Sequence, residues 1–174
     1  MMVHQKINSP VGPLHLVADG EKLCAIYFDR TWASAKKRFR DLQEGPSPAL
    51  RQTKRQLGEY FNGKRTSFDL PLELSGTKFQ KRVWSLLAEI PLGQTRTYKE
   101  HAIAARSPKA ARAVGRANGL NPLCIVLPCH RVVGGDGSLT GFAGGLAAKK
   151  FLLDFERSRF DLPGQGRSSV AAMK

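Results

Sequence analysis

A cysteine stands between a proline and a histidine–arginine pair in the stretch "NPLCIVLPCHRVVGGDG". A thiol is a useful nucleophile only as the thiolate, and an adjacent imidazole can take its proton. Cys129 and His130 supply these two groups. Because neighbours on a strand point to opposite faces, either the Pro-Cys-His-Arg segment turns or a water molecule bridges the pair. The sequence predicts a nucleophilic cysteine whose thiol is exposed.

A carboxylate on the second imidazole nitrogen would fix the histidine tautomer and stabilise the imidazolium. Glu156 follows Leu152 and Leu153 by four and three residues, near the core-facing side of a predicted last helix. It is therefore the candidate for the third member of a Cys-His-Glu arrangement. The alternative interpretation is a structural cysteine beside a surface histidine.

The other two cysteines have a different setting. Cys24 and Cys124 lie in the apolar runs "KLCAIYF" and "LCIVL", which favours buried, inert thiols. Three cysteines without C-x-x-C spacing predict neither a disulfide framework nor a zinc motif. His4 and His15 are weak candidates for metal ligands, and we expect no metal.

A glycine-rich loop follows the cysteine. A short buried strand, residues 123–127, is predicted to deliver Cys129, and half the positions of residues 134–145 are glycine. Positions without side chains let the main chain come within hydrogen-bonding reach of a planar ligand. No GxxxxGK[ST] pattern occurs, so the loop is not a phosphate loop.

The helices of the second half begin at legible caps. Thr77 and Thr97 are each followed three residues later by Gln or Glu, which predicts two capping boxes. Ser107 as N-cap with Pro108 at the first helical position predicts a third helix that ends at Gly119. Two short helices joined by a turn of about three residues predict a helix-turn-helix.

The third helix has a basic stripe among small side chains. Lys109, Arg112 and Arg116 are three and four residues apart and are predicted to share one face. A helix of this kind can approach a phosphodiester backbone closely, as a recognition helix must. The alternative is a solvated charged face.

The first half of the chain predicts a small α/β domain. A hairpin with turns at residues 10–13 and 19–20 is followed by predicted helices at residues 31–43 and 49–63 and an extended segment at 66–74. We place an N-terminal α/β domain at residues 1–75 and a C-terminal domain at 76–160. Residues 161–174 are predicted to form a disordered tail.

The chain is strongly basic, and the excess charge is uneven. Its formal net charge is +14, and residues 76–174 hold 16 Lys and Arg against 6 Asp and Glu. This balance indicates a polyanionic partner, nucleic acid above all, although solubility is the simpler explanation. No apolar run approaches the roughly 20 residues that span a bilayer, and no signal-peptide layout begins the chain, so we expect a cytoplasmic protein without a membrane partner.

The segments "FQKRVW", "IPLGQTRTY" and "KAARAVGRANGLNPLCIVLPCHRVVGGDGSLTGFAGGLAAKKFLLDFE" resemble the O(6)-alkylguanine-DNA alkyltransferases, or methylated-DNA–protein-cysteine methyltransferases. The resemblance covers residues 76–157 strongly, and residues 1–75 only in outline, through "SPVGPL" and "LGEYFNG". It implies a ribonuclease H-like α/β domain with a small antiparallel sheet, followed by a mostly α domain with the helix-turn-helix. It also implies repair of double-stranded DNA containing O(6)-alkylguanine by a protein that acts as a monomer, and it leaves open whether the monomers bind DNA cooperatively.

The resemblance also implies a role for individual residues. Cys129 is the alkyl acceptor, His130 and Glu156 form a relay through a bound water, and Asn121 braces the cysteine turn. Tyr98 hydrogen-bonds the flipped guanine. The remaining implied contacts are Val132, Phe142 and Ala143 to the base, and Arg112, Lys109, Arg116 and Lys99 to DNA in the minor groove, with Arg112 filling the gap in the base stack.

Two further expectations concern the chemistry. Phe142 and Ala143 stand where some relatives carry Tyr-Ser, so we expect a roomier pocket that tolerates larger alkyl groups. A thioether has no electrophilic carbonyl for water to attack, so the protein should act once, without a cofactor, and be less stable when spent. The alternatives are a non-catalytic binding module, a Cys-His-Glu hydrolase and, third, a transcription factor.

Overall fold

The computed structural model describes residues 1–139 and 141–160, so the predicted disordered tail lies outside the described residues. The chain divides into two compact units. The first contains residues 1–76 and 122–126, and the second contains residues 77–121 and the chain from Leu127 onward. Within the described part of the chain, no helix has the length and apolar character needed to cross a membrane.

The first unit is built on a four-stranded sheet with the order β3-β2-β1-β4. Its strands are β1 (Met2–Ile7), β2 (Leu14–Asp19), β3 (Lys22–Phe28) and β4 (Gln43–Glu44). The β1–β2 and β2–β3 pairs are antiparallel, but β4 runs parallel to β1, with His4 opposite Glu44. The sheet is therefore mixed rather than purely antiparallel as expected, because the chain crosses from β3 to the far edge before β4 begins.

The two predicted turns of the hairpins are present. Gly12 has φ +90° and Gly20 has φ +59°, both in the left-handed region that glycine adopts without steric cost. Gly12 also donates its N–H to the Ser9 carbonyl oxygen at 3.0 Å. The turns connect β1 to β2 and β2 to β3, and the register of the β2–β3 pair shifts once, between Val17 and Ala18.

The helices of the first unit differ from each other in how well the sequence predicts them. Helix α2 (Pro48–Phe61) begins where expected, with the Ser47 hydroxyl accepting from the Leu50 N–H at 3.1 Å. The helix expected over residues 31–43 is wrong in extent: α1 (Asp29–Ala35) passes into a 3₁₀ turn and ends. Phe39 leaves the helical path with extended backbone and packs its ring against the ring of Trp32.

The strand predicted over residues 123–127 is also wrong. Leu123 forms only an isolated parallel bridge with Ile26, whose N–H donates to the Pro122 carbonyl at 2.8 Å. The chain then reverses in a γ-turn, in which Val126 donates to the Cys124 carbonyl at 2.9 Å and Ile125 has φ +73°. This φ is rare and strained for a β-branched residue, so tertiary packing has overridden local preference.

The second unit is mainly helical. Its helices are α3 (Lys78–Leu87), α4 (Tyr98–Ala104), α5 (Ala111–Gly119) and α6 (Leu146–Phe160), and its short parallel strands are β5 (Arg96–Thr97) and β6 (Val132–Val133). Both predicted capping boxes, at Thr77 and at Thr97, are present. The indole Nε1 of Trp84 donates to the Ala117 carbonyl at 2.7 Å and so ties α3 to α5.

The predicted pair α4 and α5 is present, but the connection between them is longer than expected. Arg106, with φ +58°, lets the N–H of Ser107 donate to the Ala102 carbonyl at 2.9 Å and close α4. Ser107 is therefore not the N-cap of α5, which begins after Ala110 without a side-chain cap. Lys109 lies in this connection. The prediction that Lys109 shares one face of a helix with Arg112 and Arg116 is therefore wrong.

Candidate active site

The Pro-Cys-His-Arg segment forms a tight turn. Pro128 has φ −79° and ψ 72°, and the Cys129 N–H donates to the Leu127 carbonyl at 2.8 Å, which closes a γ-turn. Residues Cys129–Arg131 then form a single 3₁₀ turn. The turn breaks the alternation of a strand, so Cys129 and His130 need not point to opposite faces.

Two asparagines hold this turn in place. The side-chain amide of Asn121 donates to the Leu127 carbonyl at 2.8 Å, in the position expected of a brace. Asn118 donates to the Cys129 carbonyl at 3.1 Å and was not found from the sequence. Asn118 follows Val114 and Ala117 on the buried face of α5, and a polar residue in an apolar stripe was the available signal.

The expectation of an exposed thiol is wrong. Cys129 is 2% exposed, and its neighbours His130 and Arg131 are also buried. Bulk water has little access to the sulfur, so a reactant must be delivered into the site.

His130, Arg131 and Glu156 form a buried network around one carboxylate. His130 Nε2 donates to Glu156 Oε1 at 2.7 Å, while Arg131 donates Nε to Oε2 at 2.8 Å and Nη2 to Oε1 at 2.9 Å. Burial would raise the pKa of Glu156, but the attraction and hydrogen bonds of His130 and Arg131 outweigh it and hold that pKa far below its ordinary value. The carboxylate is therefore ionised and can only accept hydrogen bonds.

The tautomer of His130 follows from this carboxylate. Nε2 carries the proton that is donated to Glu156, which leaves the lone pair on Nδ1. Nδ1 is buried and has no hydrogen-bond partner among the residues that the structure describes. Burial lowers the pKa of His130 while attraction to Glu156 opposes this, so the imidazole is neutral and Nδ1 can accept a proton.

A fully buried lysine completes the site. Lys149 Nζ donates to the Val132 carbonyl at 2.7 Å and lies 5.9 Å from the ring centroids of both Tyr98 and Phe142. Burial lowers the pKa of Lys149, and attraction to the Cys129 thiolate opposes that shift. No role is assigned to Lys149 from the sequence, although Lys149 precedes Glu156 by seven residues and so shares its helix face.

Three of the residues that were expected to contact the base lie around Lys149 in the structure. The ring of Tyr98 packs 3.5 Å from the position of a Cβ at Gly115, and Val132 lies in β6 with its carbonyl bonded to Lys149. Phe142 is half-buried with its ring near the ammonium group. Ala143, the fourth, lies beside Phe142 in the loop and is half-buried.

The four cations expected to contact DNA are all exposed. Arg112 and Arg116 lie four residues apart on α5, Lys109 precedes that helix and Lys99 lies on α4. None of the four forms an ion pair within residues 1–139 and 141–160. Unpaired surface cations on a helix pair are suited to phosphate contacts.

Some glycines of the loop are needed by the loop itself. Gly134 donates to the Ser138 carbonyl at 2.9 Å, and a Cβ at Gly134 would lie 2.5 Å from the Ser138 hydroxyl oxygen. Gly137 has φ +80°. At these positions glycine is required by the local turn rather than by a ligand.

The histidines considered as metal ligands have other partners. His4 and His15 hydrogen-bond to each other at 2.9 Å. Among the described residues, no group of three or more His, Cys, Asp or Glu side chains could hold a metal ion. The absence of a metal stays a prediction.

A helix pair with exposed cations, in the same unit as a buried cysteine with a histidine–carboxylate pair, is the arrangement expected of a nucleic-acid-binding domain with a nucleophilic thiol. Residues 78–158 match the family model described as the DNA-binding domain of 6-O-methylguanine DNA methyltransferase. Residues 2–74 match the ribonuclease-like domain of the same family. The chain belongs to the 6-O-methylguanine DNA methyltransferase family, which confirms the resemblance and the fold class read from the sequence.

Individual relatives agree with this assignment. The methylated-DNA–protein-cysteine methyltransferase of Methanosarcina barkeri is 46% identical over 168 residues, which cover 90% of this chain and 98% of that protein. The crystal structure of Mycobacterium tuberculosis O6-methylguanine methyltransferase matches with a TM-score of 0.83 at 40% identity, covering 100% of both chains. The structure of Mycobacterium tuberculosis OGT in complex with DNA matches with a TM-score of 0.80 at 43% identity, covering 90% of this chain and 94% of that one.

Proposed function

We propose that this protein repairs DNA by moving the alkyl group of O(6)-alkylguanine onto Cys129. The observation that carries the proposal is the line of groups from the cysteine turn to His130 and from His130 Nε2 to Glu156 at 2.7 Å. Membership of the 6-O-methylguanine DNA methyltransferase family and the DNA complex of the relative from Mycobacterium tuberculosis support it.

The transfer begins with the proton of the thiol. It moves to the lone pair on His130 Nδ1, directly or through a water molecule, and the resulting imidazolium is stabilised by the ionised Glu156. The thiolate then attacks the alkyl carbon, a carbon–sulfur bond forms, and the carbon–oxygen bond breaks with its electron pair going to guanine O6. The guanine is left as an anion and takes up a proton as it departs, and we assign to Tyr98 the donation of a hydrogen bond to it.

The positive charge of Lys149 contributes to the same step. Its ammonium group is buried, and a thiolate at Cys129 would raise the pKa of Lys149 against the effect of burial. In a site with little water, a fixed neighbouring cation stabilises an anion more strongly than it would at the surface. Lys149 therefore favours the reactive form of the cysteine without itself exchanging a proton.

Alkylation of Cys129 inactivates the protein permanently. A thioether is not an acyl group, so water has no electrophilic carbonyl to attack and the cysteine is not regenerated. The reaction is stoichiometric, with one alkyl group per protein molecule, and uses no cofactor. This separates the proposal from a Cys-His-Glu hydrolase, which would turn over on an ester.

The target base must leave the base stack before it can meet the buried thiol. Enzymes that act on a base in duplex DNA rotate the nucleotide outward into a pocket. We infer that α5 enters the minor groove, that Arg112 fills the gap left in the stack, and that Lys99, Lys109 and Arg116 contact phosphates. The basic charge of the second unit is available for this binding. A monomeric, cytoplasmic protein stays a prediction.

Mass spectrometry tests the proposal directly. After a single incubation with duplex DNA containing O(6)-methylguanine, the intact protein should gain one methyl group, and fragmentation should place it on Cys129. Cys129→Ser should gain none but retain salt-sensitive DNA binding. The matched variant Cys24→Ser should react like the unchanged protein. Loss of the lesion from the duplex without modification of Cys129 would refute the proposal.

A further inference from the structure

Four side chains form a continuous hydrogen-bonded line in the first unit. His4 Nδ1 bonds to Glu44 Oε1, His4 Nε2 meets His15 Nδ1 at 2.9 Å, and His15 Nε2 meets Asp29 Oδ1 at 2.9 Å. His4 lies on β1, Glu44 on β4, His15 on β2 and Asp29 on α1. The line therefore connects three strands of the sheet with α1, the helix that follows β3.

The two imidazoles at the centre of the line are buried, and the two carboxylates at its ends are exposed to solvent. His4 is 5% exposed and His15 is 4% exposed, whereas both carboxylates are largely exposed. The indole of Trp32 stacks on both imidazoles, with ring centroids 4.5 Å from His4 and 4.6 Å from His15. The stacked indole offers its negative face to any positive charge on the imidazoles.

The hydrogen bonds fix the number of protons on the two rings. An ionised carboxylate can only accept, so His4 Nδ1 and His15 Nε2 both carry a proton. The contact between His4 Nε2 and His15 Nδ1 needs one donor and one acceptor, so it contains a third proton. Two neutral imidazoles carry only two ring protons, so this arrangement holds one proton more.

The structure assigns one bound proton to the His4–His15 pair: His4 is an imidazolium that donates to Glu44 and to His15, and His15 is neutral. This proton site belongs to neither the proposed transfer chemistry nor a metal centre. Its charged neighbours are Glu44 from β4, Asp29 from α1 and Lys6 from β1, whose ammonium group lies 3.4 Å from Asp29.

The placement of the charge on His4 agrees with the surroundings of His15. Burial lowers the pKa of His15, the hydrogen bond to Asp29 opposes this, and the neighbouring His4 lowers the pKa further. Hydrogen bonds from His15 and Lys6 hold the pKa of Asp29 below its ordinary value, so Asp29 stays an acceptor. The shared proton is thus drawn toward His4 and its own carboxylate, Glu44.

The proton contributes to holding β4 on the sheet. That strand pairs with β1 through two residues, and the Gly45 N–H donates to the His4 carbonyl at 3.2 Å. Losing the proton leaves two lone pairs facing each other between the rings, or removes the donor to Glu44. A fourth proton would place two N–H groups face to face. The line is complete only in a window of pH between these two events.

Nitrogen NMR of the histidine rings in the full-length protein tests this assignment. Near neutral pH, His4 should have both ring nitrogens protonated, and His15 should carry its proton on Nε2 alone. Raising the pH until the pair loses its third proton should also reduce the hydrogen-exchange protection of the Gly45 amide. Two neutral imidazoles near neutral pH, in a chain whose other resonances are those of the folded state, would overturn the proposal.

A pair of charge-matched variants adds a second test. Glu44→Gln keeps an acceptor but removes the negative charge that favours the extra proton, so the pair of rings should lose that proton at a lower pH than in the unchanged protein. Glu21→Gln removes one carboxylate from the exposed turn between β2 and β3 and should leave the loss of that proton unchanged. Equal behaviour of the two variants would contradict the imidazolium at His4.

Discussion

The ammonium group of Lys149 donates a hydrogen bond to the Val132 carbonyl oxygen, 2.7 Å away, and the whole lysine side chain is buried. A buried cation is costly unless it has partners. Burial lowers the pKa of Lys149, and attraction to Cys129 in its thiolate form opposes that shift. We therefore expect Lys149 to favour the thiolate form of Cys129 in the proposed transfer.

Lys149→Met should slow alkyl transfer at neutral pH by about tenfold or more. A neighbouring positive charge lowers the pKa of an acidic group by about 1–3, and this variant removes that charge. Without the ammonium, the thiolate forms only at higher pH, so the profile of rate against pH should move toward alkaline values. Single-turnover rates measured from pH 6 to 9 with free O(6)-benzylguanine check this. Lys150→Met removes an exposed cation of the next residue and serves as the control. An unshifted profile for Lys149→Met would count against the role.

Arg112→Ala should impair repair of a methylated duplex more than reaction with free alkylguanine, because the proposed role of Arg112 is to hold the base outside the stack. Arg116→Ala removes another exposed cation from α5 and should weaken binding to any duplex about equally. Rates on both substrates, at one salt concentration, separate the two effects. Equal losses on duplex and free base for Arg112→Ala would exclude a role in extrusion.

His101 makes the free energy of unfolding of the second unit sensitive to acid. Its Nε2 donates to the Val83 carbonyl at 2.9 Å and its Nδ1 accepts from Arg96 at 3.2 Å. Burial lowers the pKa of His101, opposed by the Val83 hydrogen bond. The unfolded chain then binds a proton more readily than the folded one, so this contribution is present above the unfolded pKa, about 6.5, and is lost as the pH falls below it.

His101→Gln should therefore flatten the dependence of unfolding free energy on pH between about 7 and 5. Glutamine can keep one donor and one acceptor in this position but does not titrate. Urea unfolding at each pH measures the slope, with the folded state checked by circular dichroism. The same slope in the variant and in the unchanged protein would show that other groups cause the acid sensitivity.

The sequence predicts those features that depend on a few neighbouring residues. The capping boxes at Thr77 and Thr97 are correct because each depends on only two residues: the threonine hydroxyl accepts from the backbone N–H three residues later, and the side chain of that later residue accepts from the threonine N–H. The start of α5 is not, because the cap signal of Ser107 and Pro108 competes with the closure of α4 through Ser107. Local signals conflict there, and the tertiary structure decides.

The site was found in the same uneven way. Cys129, His130 and Glu156 have residue types that suggest chemistry by themselves, whereas Lys149 and Asn118 acquire a role only through burial. The apolar run before Pro128 predicts a strand, since nothing local reveals the strained turn at Ile125. Burial of Cys129 was likewise missed, because a polar motif says little about the side chains that cover it.

The alkylated protein should be less stable than the unmodified one, and the burial of Cys129 at 2% exposure gives the reason. Adding a group to a packed interior costs about 1–3 kcal/mol, which lowers the melting temperature by roughly 2–4 °C per kcal/mol in a chain of this length. A benzyl group should have a larger effect than methyl, unless the pocket at Phe142 and Ala143 is as roomy as expected, in which case the two effects converge. Calorimetry of the protein before and after reaction measures both, with Cys129→Ser exposed to the same substrates as the control. A melting temperature that rises on alkylation would mean that the site gains contacts from the adduct, and that the thiol lies in a cavity rather than in packed protein.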